Sequence, residues 1–327
     1  MKKVSVLVPV YGVDKYLEGF LDSLSMQNLS DVEFIIVNDA SPDCSDDIIK
    51  RYLEKDERFI YIKKHKNEGL YKARQDAFDI ASGEFVINLD SDDFISADFL
   101  SAMYTMAKKE ELDIVLSNID LVDEVGKRLI NSKSKSHIHD FVFDYSNIAS
   151  LLSTPYATWC RMYRKELLLE KNYVYEKGEL YLTNFHFLKG VRSGVASSAT
   201  YSYRIRDNSM SSASNSSKKL QNKLSEISIR NFNNEIFSMH IDKEYLTSYK
   251  LFNNLSFTKL NFVSSIYGCE VGRYKALRNL INSEFPITVI DKVRNISVIP
   301  RELIVFSILD MLSLVPLLIK FKGRSVK

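Results

Sequence analysis

KNEGLYKARQDAFDIASGEFVINLDSDD, residues 66–93, is the stretch whose reading decides the fold. It opens with a polar turn, continues through Leu70, Ala73, Ala77 and Phe78 at helical spacing, breaks at Ser82-Gly83, and ends in an apolar strand that runs into aspartates. A helix feeding a buried strand is one unit of a βα repeat, and further units lie on both sides. Upstream are the strands Val4 to Val10, Val32 to Asn38 and Phe59 to Lys63; Glu84 to Leu89 is the strand within the stretch, and Asp113 to Ser117 lies downstream. After the candidate N-cap Asp14, Leu17, Phe20, Leu21 and Leu24 give one apolar helical face. Ser45 to Glu57, with Ile48, Ile49, Tyr52 and Leu53, gives the next. The fold class that follows is α/β, Rossmann-like, with a mostly parallel sheet.

The chain has 327 residues, 45% hydrophobic and 26% charged, which is the composition of a folded protein of about two structural units. Forty-four Lys and Arg against 42 Asp and Glu leave a formal charge of +2, so no global field favours nucleic acid, and no nucleic-acid partner is expected. Cys44, Cys160 and Cys269 are odd in number and widely spaced, as reduced thiols of a cytoplasmic protein would be. Met1-Lys2-Lys3 before Val4 to Val10 imitates a signal peptide, but Pro9 and Asp14-Lys15 interrupt it, and a buried first strand is expected. Neither GxGxxG nor GxxxxGK[ST] occurs, which argues against a dinucleotide enzyme or a P-loop NTPase.

Ligands of such sheets bind beyond the carboxyl ends of the strands. The residues there are Pro9-Val10-Tyr11, Asn38-Asp39-Ala40-Ser41 and Asp90-Ser91-Asp92-Asp93. In extended chain Asp90 and Asp92 would point to one side and share a site suited to a manganese or magnesium ion (Mn²⁺ or Mg²⁺) with room for a diphosphate. The alternative is that Ser91, Asp92 and Asp93 cap a helix beginning near Ala97. Asp39 could accept the N3–H of uracil, a donor that cytosine lacks; its other reading is a turn aspartate before Ser41-Pro42-Asp43. Asn67-Glu68-Gly69-Leu70 opens a helix whose N–H groups face anions, and Arg74 lies one turn in, where it either reaches a phosphate or stays solvated.

Together these clusters resemble the family-2 glycosyltransferases of the GT-A fold, inverting enzymes that build bacterial capsules, O-antigens and teichoic-acid decorations. The resemblance covers roughly residues 3 to 210 and rests on VSVLVPVYGVDKYLEGFLDSL (4–24), VEFIIVNDASPDCS (32–45), residues 66–93 and YSYRIRDNSMS (201–211). It implies a GT-A domain over 1–215, with a nucleotide-binding half (1–118) and an acceptor half (119–215). By resemblance Pro9, Tyr11 and Asp39 line a uridine pocket and Arg74 approaches base or phosphates. Asp90 touches the ribose, Asp92 holds the divalent metal, and Arg204, Arg206 and Ser209 fold over the donor phosphates. Thr158 to Arg164 looks like the family's Trp-x-Lys-Leu-Tyr-Arg element, with Arg161 in place of the lysine. The implied donor is a UDP-sugar and the acceptor a polysaccharide or lipid-linked glycan.

One departure concerns the mechanism. Where the family carries Glu-Asp, with the Asp as general base, this sequence has Thr183-Asn184. An amide orients a hydroxyl but does not take its proton, and general-base assistance is typically worth about 10²–10⁴-fold. Either Glu179 or His186 serves as base, or acceptor or donor supplies an oxyanion, or the site binds donor without efficient transfer. Glu179 otherwise reads as a solvated loop carboxylate and His186 as a residue packed between Phe185 and Phe187. The second function hypothesis follows: a catalytically silent nucleotide-sugar-binding partner of a polysaccharide-assembly complex.

Trp159 either stacks an acceptor sugar or packs beneath the site. His137-Ile138-His139 lacks a third metal ligand and reads as a surface strand or loop, and Ser209 to Ser217 reads as a mobile connector that could close over the donor. Beyond Lys218 the pattern turns helical, giving an extension over 216–327. Its segment 301–322 contains a nearly continuous apolar run, Leu303 to Phe321, that approaches the ~20 residues a bilayer span requires, but Asp310 near its middle would be costly there. An interfacial helix on the inner face of the membrane, a homo-oligomer contact, or a helix packed back on the domain are the three readings.

Overall fold

The computed structural model describes residues 2–129, 140–144, 158–175, 182, 185–188, 190–206, 250–251, 254–255 and 271–287. The chain divides into two compact units, the first made of 1–144, 157–182 and 190–205, the second of 145–156, 183–189 and 206–327.

The first unit is built on β1 (Val4–Val10), α1 (Asp14–Ser25), β2 (Val32–Asn38), α2 (Ser45–Leu53), β3 (Phe59–Lys63), α3 (Leu70–Ile80) and β4 (Phe85–Asn88). There follow β5 (Phe94–Ile95), α4 (Phe99–Lys109), β6 (Ile114–Val122), β7 (Phe141–Asp144), β8 (Arg161–Arg164), α5 (Lys165–Glu170) and β9 (Arg192–Arg204). One sheet contains all nine strands in the order β3-β2-β1-β4-β8-β6-β9-β5, and β7 also pairs with β9. The pairs β1–β2, β1–β4, β2–β3 and β6–β9 are parallel. The α/β expectation with a mostly parallel nucleotide-side sheet therefore holds.

β5 and β7 pair antiparallel with β9, and the antiparallel insertion at the centre of the sheet comes from the Thr158–Arg164 element. β8 inserts between β4 and β6 and runs against both, so that Ile87 and Val115 both face Met162 across it. Its residues were expected to matter as a motif, but their hydrophobic pattern is too short to announce a central strand. Element ends also differ from the pattern. β4 is one residue shorter at each end than Glu84–Leu89, and β6 reaches Val122 instead of Ser117 because β9 pairs along its whole length, with a bulge at Ser117/Asn118. α2 stops at Leu53, and α1 has Val13 at the N-cap with Asp14 as its first helical residue.

β1 and β2 are buried almost throughout, which is why they read as continuous apolar runs. Val4, Val6, Val8 and Val10 join Leu17, Phe20 and Leu24 of α1 and Phe99 and Met103 of α4 in one core. The alternate residues Leu7, Ile35 and Val37 face the other side, where α3 packs on β1 and β2. The polar exceptions sit at the edge where the strands begin. Ser5 Oγ donates to Glu33 Oε1 (2.5 Å), Ser82 donates to the same oxygen through its N–H (2.6 Å) and hydroxyl (3.0 Å), and Gly83 N–H donates to Ser5 Oγ (2.8 Å).

In the second unit, Leu251, Leu255, Leu277, Ile281 and Phe285 are buried, and Asn254 Nδ2 donates to the Phe285 carbonyl (2.8 Å) around a helix at Val271–Glu284. The 215/216 boundary, the segment 301–322, His137 to His139 and Ser209 to Ser217 lie outside the described residues. Among the described residues no helix is long and apolar enough to cross a membrane.

A side chain at Gly83 would place its Cβ 2.5 Å from Ser5 N and 2.8 Å from the Phe85 carbonyl, both backbone atoms that cannot step aside. Gly83→Ala is expected to lose about 2–3 kcal/mol of unfolding free energy in urea melts. A loss below about 0.5 kcal/mol, the range of ordinary surface substitutions, would mean that this close approach is not as described.

Candidate functional site

At the carboxyl edge the ends of β1, β2 and β4 are laced together. Asp39 N–H donates to the Val10 carbonyl (3.0 Å), Leu89 N–H to the Leu7 carbonyl (3.1 Å) and Ser91 Oγ to the Pro9 carbonyl (2.8 Å). The loops beyond are joined as well: Gly12 N–H donates to Ser41 Oγ (2.8 Å), and Ser41 N–H to Asn38 Oδ1 (2.8 Å). Asp43 anchors this corner by accepting from Ser41 Oγ (2.5 Å), Ser45 N–H (3.1 Å) and Asp14 N–H (2.9 Å). Burial works to raise the Asp43 carboxyl, but these donors hold it down to about 2.

Asp39 is 3% exposed, so it is not a surface turn residue. Its carboxylate accepts the N–H groups of Glu68 (3.0 Å) and Gly69 (2.7 Å), and the Lys64 ammonium lies 3.3 Å away. Gly69 is the N-cap of α3 at φ +93, a left-handed conformation natural only to glycine, and it has no side chain with which to cap. Asp39 supplies that cap from the neighbouring strand, with its charge at the positive end of the helix.

The same helix carries Arg74. Its side chain is 1% exposed, against the expectation for an isolated surface arginine, and Nη2 donates to Asp90 Oδ1 at 2.6 Å. A buried guanidinium requires such a partner. α3 therefore bridges the aspartate that follows β2 and the aspartate that follows β4.

Asp90 to Asp93 form a turn, closed by Asp93 N–H donating to the Asp90 carbonyl (3.3 Å); they are not the extended chain from which a shared side for Asp90 and Asp92 was inferred. Asp93 is buried. It accepts from the Tyr201 hydroxyl (2.6 Å) and from Arg204 N–H (2.7 Å). Burial, then the charges of Asp92 and Asp90, push its carboxyl up to about 8 despite these donors. Since Ser91 and Asp93 are engaged with Pro9 and β9, and α4 begins at Phe99 behind Asp98, neither of them caps α4.

Arg204 backs the turn. Its Nε donates to the Asp92 carbonyl (2.8 Å) and Nη1 to the Glu124 carbonyl (2.6 Å), and its guanidinium lies over the Tyr16 and Phe94 rings at 5.1 and 5.4 Å. Trp159, just before β8, stacks on Tyr201 (4.3 Å between centroids) and on Tyr203 (5.1 Å, 6° between planes). The carboxyl edge thus gathers Pro9, Tyr11, Asp39, Arg74, Asp90, Asp92 and Arg204, with Tyr11 half exposed in the loop after β1. Arg206 and His186 fall in the second unit, His186 within a four-residue helix, Phe185–Leu188. Glu179, Asn184 and Ser209 lie outside the described residues.

Among the described residues no three His, Cys, Asp or Glu side chains are grouped to hold a metal by themselves. The acidic turn still fits a hard dication: Asp92 is half-buried beside Asp90, and such an ion commonly takes one or two carboxylates and completes its shell with water and substrate phosphates. Sequence reasoning missed Lys64 and Tyr201, and took Asp93 only as a strand-end acid or a helix cap. Only Tyr201 left a signal, its period-2 spacing with Tyr203 in a strand.

The family model described as Glycosyl transferase family 2 matches residues 5–170, just over half of the chain. Glycosyltransferase GlyA of Streptococcus pneumoniae serotype 4 is 30% identical over 221 residues, covering 64% of this chain and 31% of that protein. Poly(ribitol-phosphate) beta-glucosyltransferase of Bacillus spizizenii is 36% identical over 127 residues, 38% of this chain and 20% of that protein. The chain spans less than half the length of either relative. The crystal structure of S. aureus TarS 1-349 in complex with UDP-GlcNAc superposes with a TM-score of 0.56 at 20% identity, over 86% of this chain and 89% of that one, which is a likeness of fold.

Tyr201→Phe keeps the stack on Trp159 but deletes the hydroxyl that bonds Asp93. It is expected to lower stability by about 1–3 kcal/mol, read from the fluorescence of this sole tryptophan in urea. An unchanged midpoint would mean that the hydroxyl does not hold the acidic turn.

Proposed function

The chain belongs to glycosyl transferase family 2, and on that premise we propose that it is a metal-dependent, inverting glycosyltransferase that moves a sugar from a UDP-sugar to a polysaccharide or lipid-linked glycan acceptor in bacterial surface polysaccharide synthesis. One observation carries the reading: α3 receives Asp39 at its N-terminus and presents Arg74 to Asp90, so groups suited to a base and to a ribose and diphosphate are held by one rigid element. The names of the relatives agree with it, one acting on a poly(ribitol-phosphate) and one fold neighbour binding UDP-GlcNAc.

In this reading the Asp39 carboxylate, an acceptor only, takes the uracil N3–H. Asp90, oriented by Arg74, meets the ribose hydroxyls. Asp92 would hold Mn²⁺ or Mg²⁺, which when bound would offset the negative charge developing on the departing UDP. Arg204 and Tyr201 fix the turn so that Asp92 needs no rearrangement when donor arrives. The acceptor oxygen forms its bond to the anomeric carbon from the face opposite UDP, the C–O bond to the diphosphate breaks with its electron pair leaving on UDP, and configuration inverts. The hydroxyl proton must pass to a base, and Asn184 stands where the family carries one. That residue favours the second reading, a silent nucleotide-sugar-binding partner.

Calorimetry should give UDP binding at least about tenfold tighter with Mn²⁺ than with EDTA, a gain that Asp92→Asn removes, while Asp39→Asn weakens UDP in either condition. The absence of any cation effect in the parent protein would sink the metal-dependent donor site. Separately, Asn184→Asp is expected to raise turnover of UDP-sugar by about tenfold or more if this position faces the acceptor hydroxyl. If the parent and Asn184→Asp both bind donor yet release no UDP with any acceptor, the silent-partner reading is the correct one.

A further inference from the structure

Lys64 follows β3 directly, and its N–H donates to the Asn38 carbonyl (2.9 Å), which sets it beside Asp39. Its side chain is 7% exposed, and its ammonium sits among three carboxylates: Glu68 at 2.7 Å, Asp76 at 3.0 Å and Asp39 at 3.3 Å. The outer two carry further lysines, Lys66 at 3.5 Å from Glu68 and Lys72 at 2.6 Å from Asp76, so three acids are balanced by three bases. Burial works to lower the pKa of Lys64, but Glu68, Asp76 and Asp39 outweigh it and raise it, so the charge persists at any physiological pH.

The geometry accounts for most of the acceptor capacity of Asp39. A carboxylate offers about four lone-pair directions. Oδ1 faces Glu68 N–H and Lys64, and Oδ2 takes Gly69 N–H with a longer share of Glu68 N–H at 3.2 Å, so Oδ2 is the oxygen not held by the lysine. The Lys64 ammonium, 3.3 Å from Oδ1, holds that oxygen and with it the plane of the carboxylate. A group that only accepts matches the N3–H of uracil and repels the N3 lone pair of cytosine.

We propose that Lys64 is a positioning residue that holds the Asp39 carboxylate aimed at the base, and thereby sets the preference of the nucleotide pocket for uracil over cytosine. The proposal rests on the reading of Asp39 as the group that meets the base. It requires no contact between Lys64 and the ligand: the lysine acts through the carboxylate it faces.

The test is calorimetric titration of the full chain with UDP and with CDP in Mn²⁺, for the parent, Lys64→Met, Lys64→Arg, Lys72→Met and Asp39→Asn. Lys64→Met is expected to weaken UDP by about tenfold and to lower the UDP:CDP affinity ratio by a similar factor, while Lys64→Arg retains most of the ratio. Lys72→Met, which removes a lysine that pairs with Asp76 but is not placed beside Asp39, should leave it unchanged. A purely structural lysine would give a lower melting temperature with an intact ratio, and that result overturns the proposal. If Asp39→Asn also leaves the ratio intact, the assignment of Asp39 to the base has failed and the proposal falls with it. If Asp39→Asn collapses the ratio and Lys64→Met does not, the role of Lys64 alone is refuted. Should Lys64→Met not fold, the double variant Glu68→Gln/Asp76→Asn keeps the lysine but removes its outer anchors. It is expected to lower the ratio about threefold, and an unchanged ratio there overturns the proposal equally.

Discussion

The carboxylate of Asp39 seated on the N-terminus of α3 is the contact on which the rest of the site depends. A helix of eleven residues behind a glycine N-cap has no side-chain cap of its own, and the N–H groups at its entry would otherwise face water or stay unsatisfied. Asp39 satisfies two of them from a different strand, which ties the direction of α3 to the end of β2. Because α3 is then fixed, Arg74 one turn along is fixed too, and through it Asp90 beyond β4. A single charge–dipole contact thus sets the distance between two strand ends that are not neighbours in the sheet.

The acidic turn is held from the other side by a different device. β9 runs antiparallel to β5 and presents Tyr201 and Arg204, which bond both oxygens of Asp93 and the carbonyl of Asp92. Three aspartates in four residues repel one another, and the fold meets this by burying Asp93, whose carboxyl is pushed up to about 8, and by pairing Asp90 with Arg74. Asp92 is the member of the turn whose backbone, instead of its carboxylate, is fixed by Arg204. A turn clamped at its backbone holds its place without relying on the carboxylate of Asp92.

The pieces of this site differ in how they could be found. The parallel strands, the helices between them and the strand-end aspartates were legible, because a buried parallel strand needs an uninterrupted apolar run and its partner helix an apolar face at 3.6 spacing. Asp39, Arg74, Asp90 and Asp92 stood out as polar groups directly after, or one helical turn away from, such elements. Asp93 stood out only as one more acid of that run, and Lys64 not at all. One lysine among several in Lys63 to Lys66 looks solvated, and only the fold reveals that its ammonium is enclosed by Asp39, Glu68 and Asp76. The antiparallel insertion of β8 was equally hidden, since four residues carry too little periodicity to specify a partner.

What the sequence by itself determined is the alternation of strand and helix and the chemistry gathered at the strand ends; both follow from residue type and local spacing. Only the tertiary structure decided which groups face one another. Arg74 became a buried partner of Asp90, Arg204 the support of a turn, and Asp39 the cap of a helix whose N-cap, Gly69, lies thirty residues later. The physical reason is that charge pairing and capping act over a few ångströms in space, whatever the separation along the chain, and that distance is fixed by how the strands order themselves in the sheet.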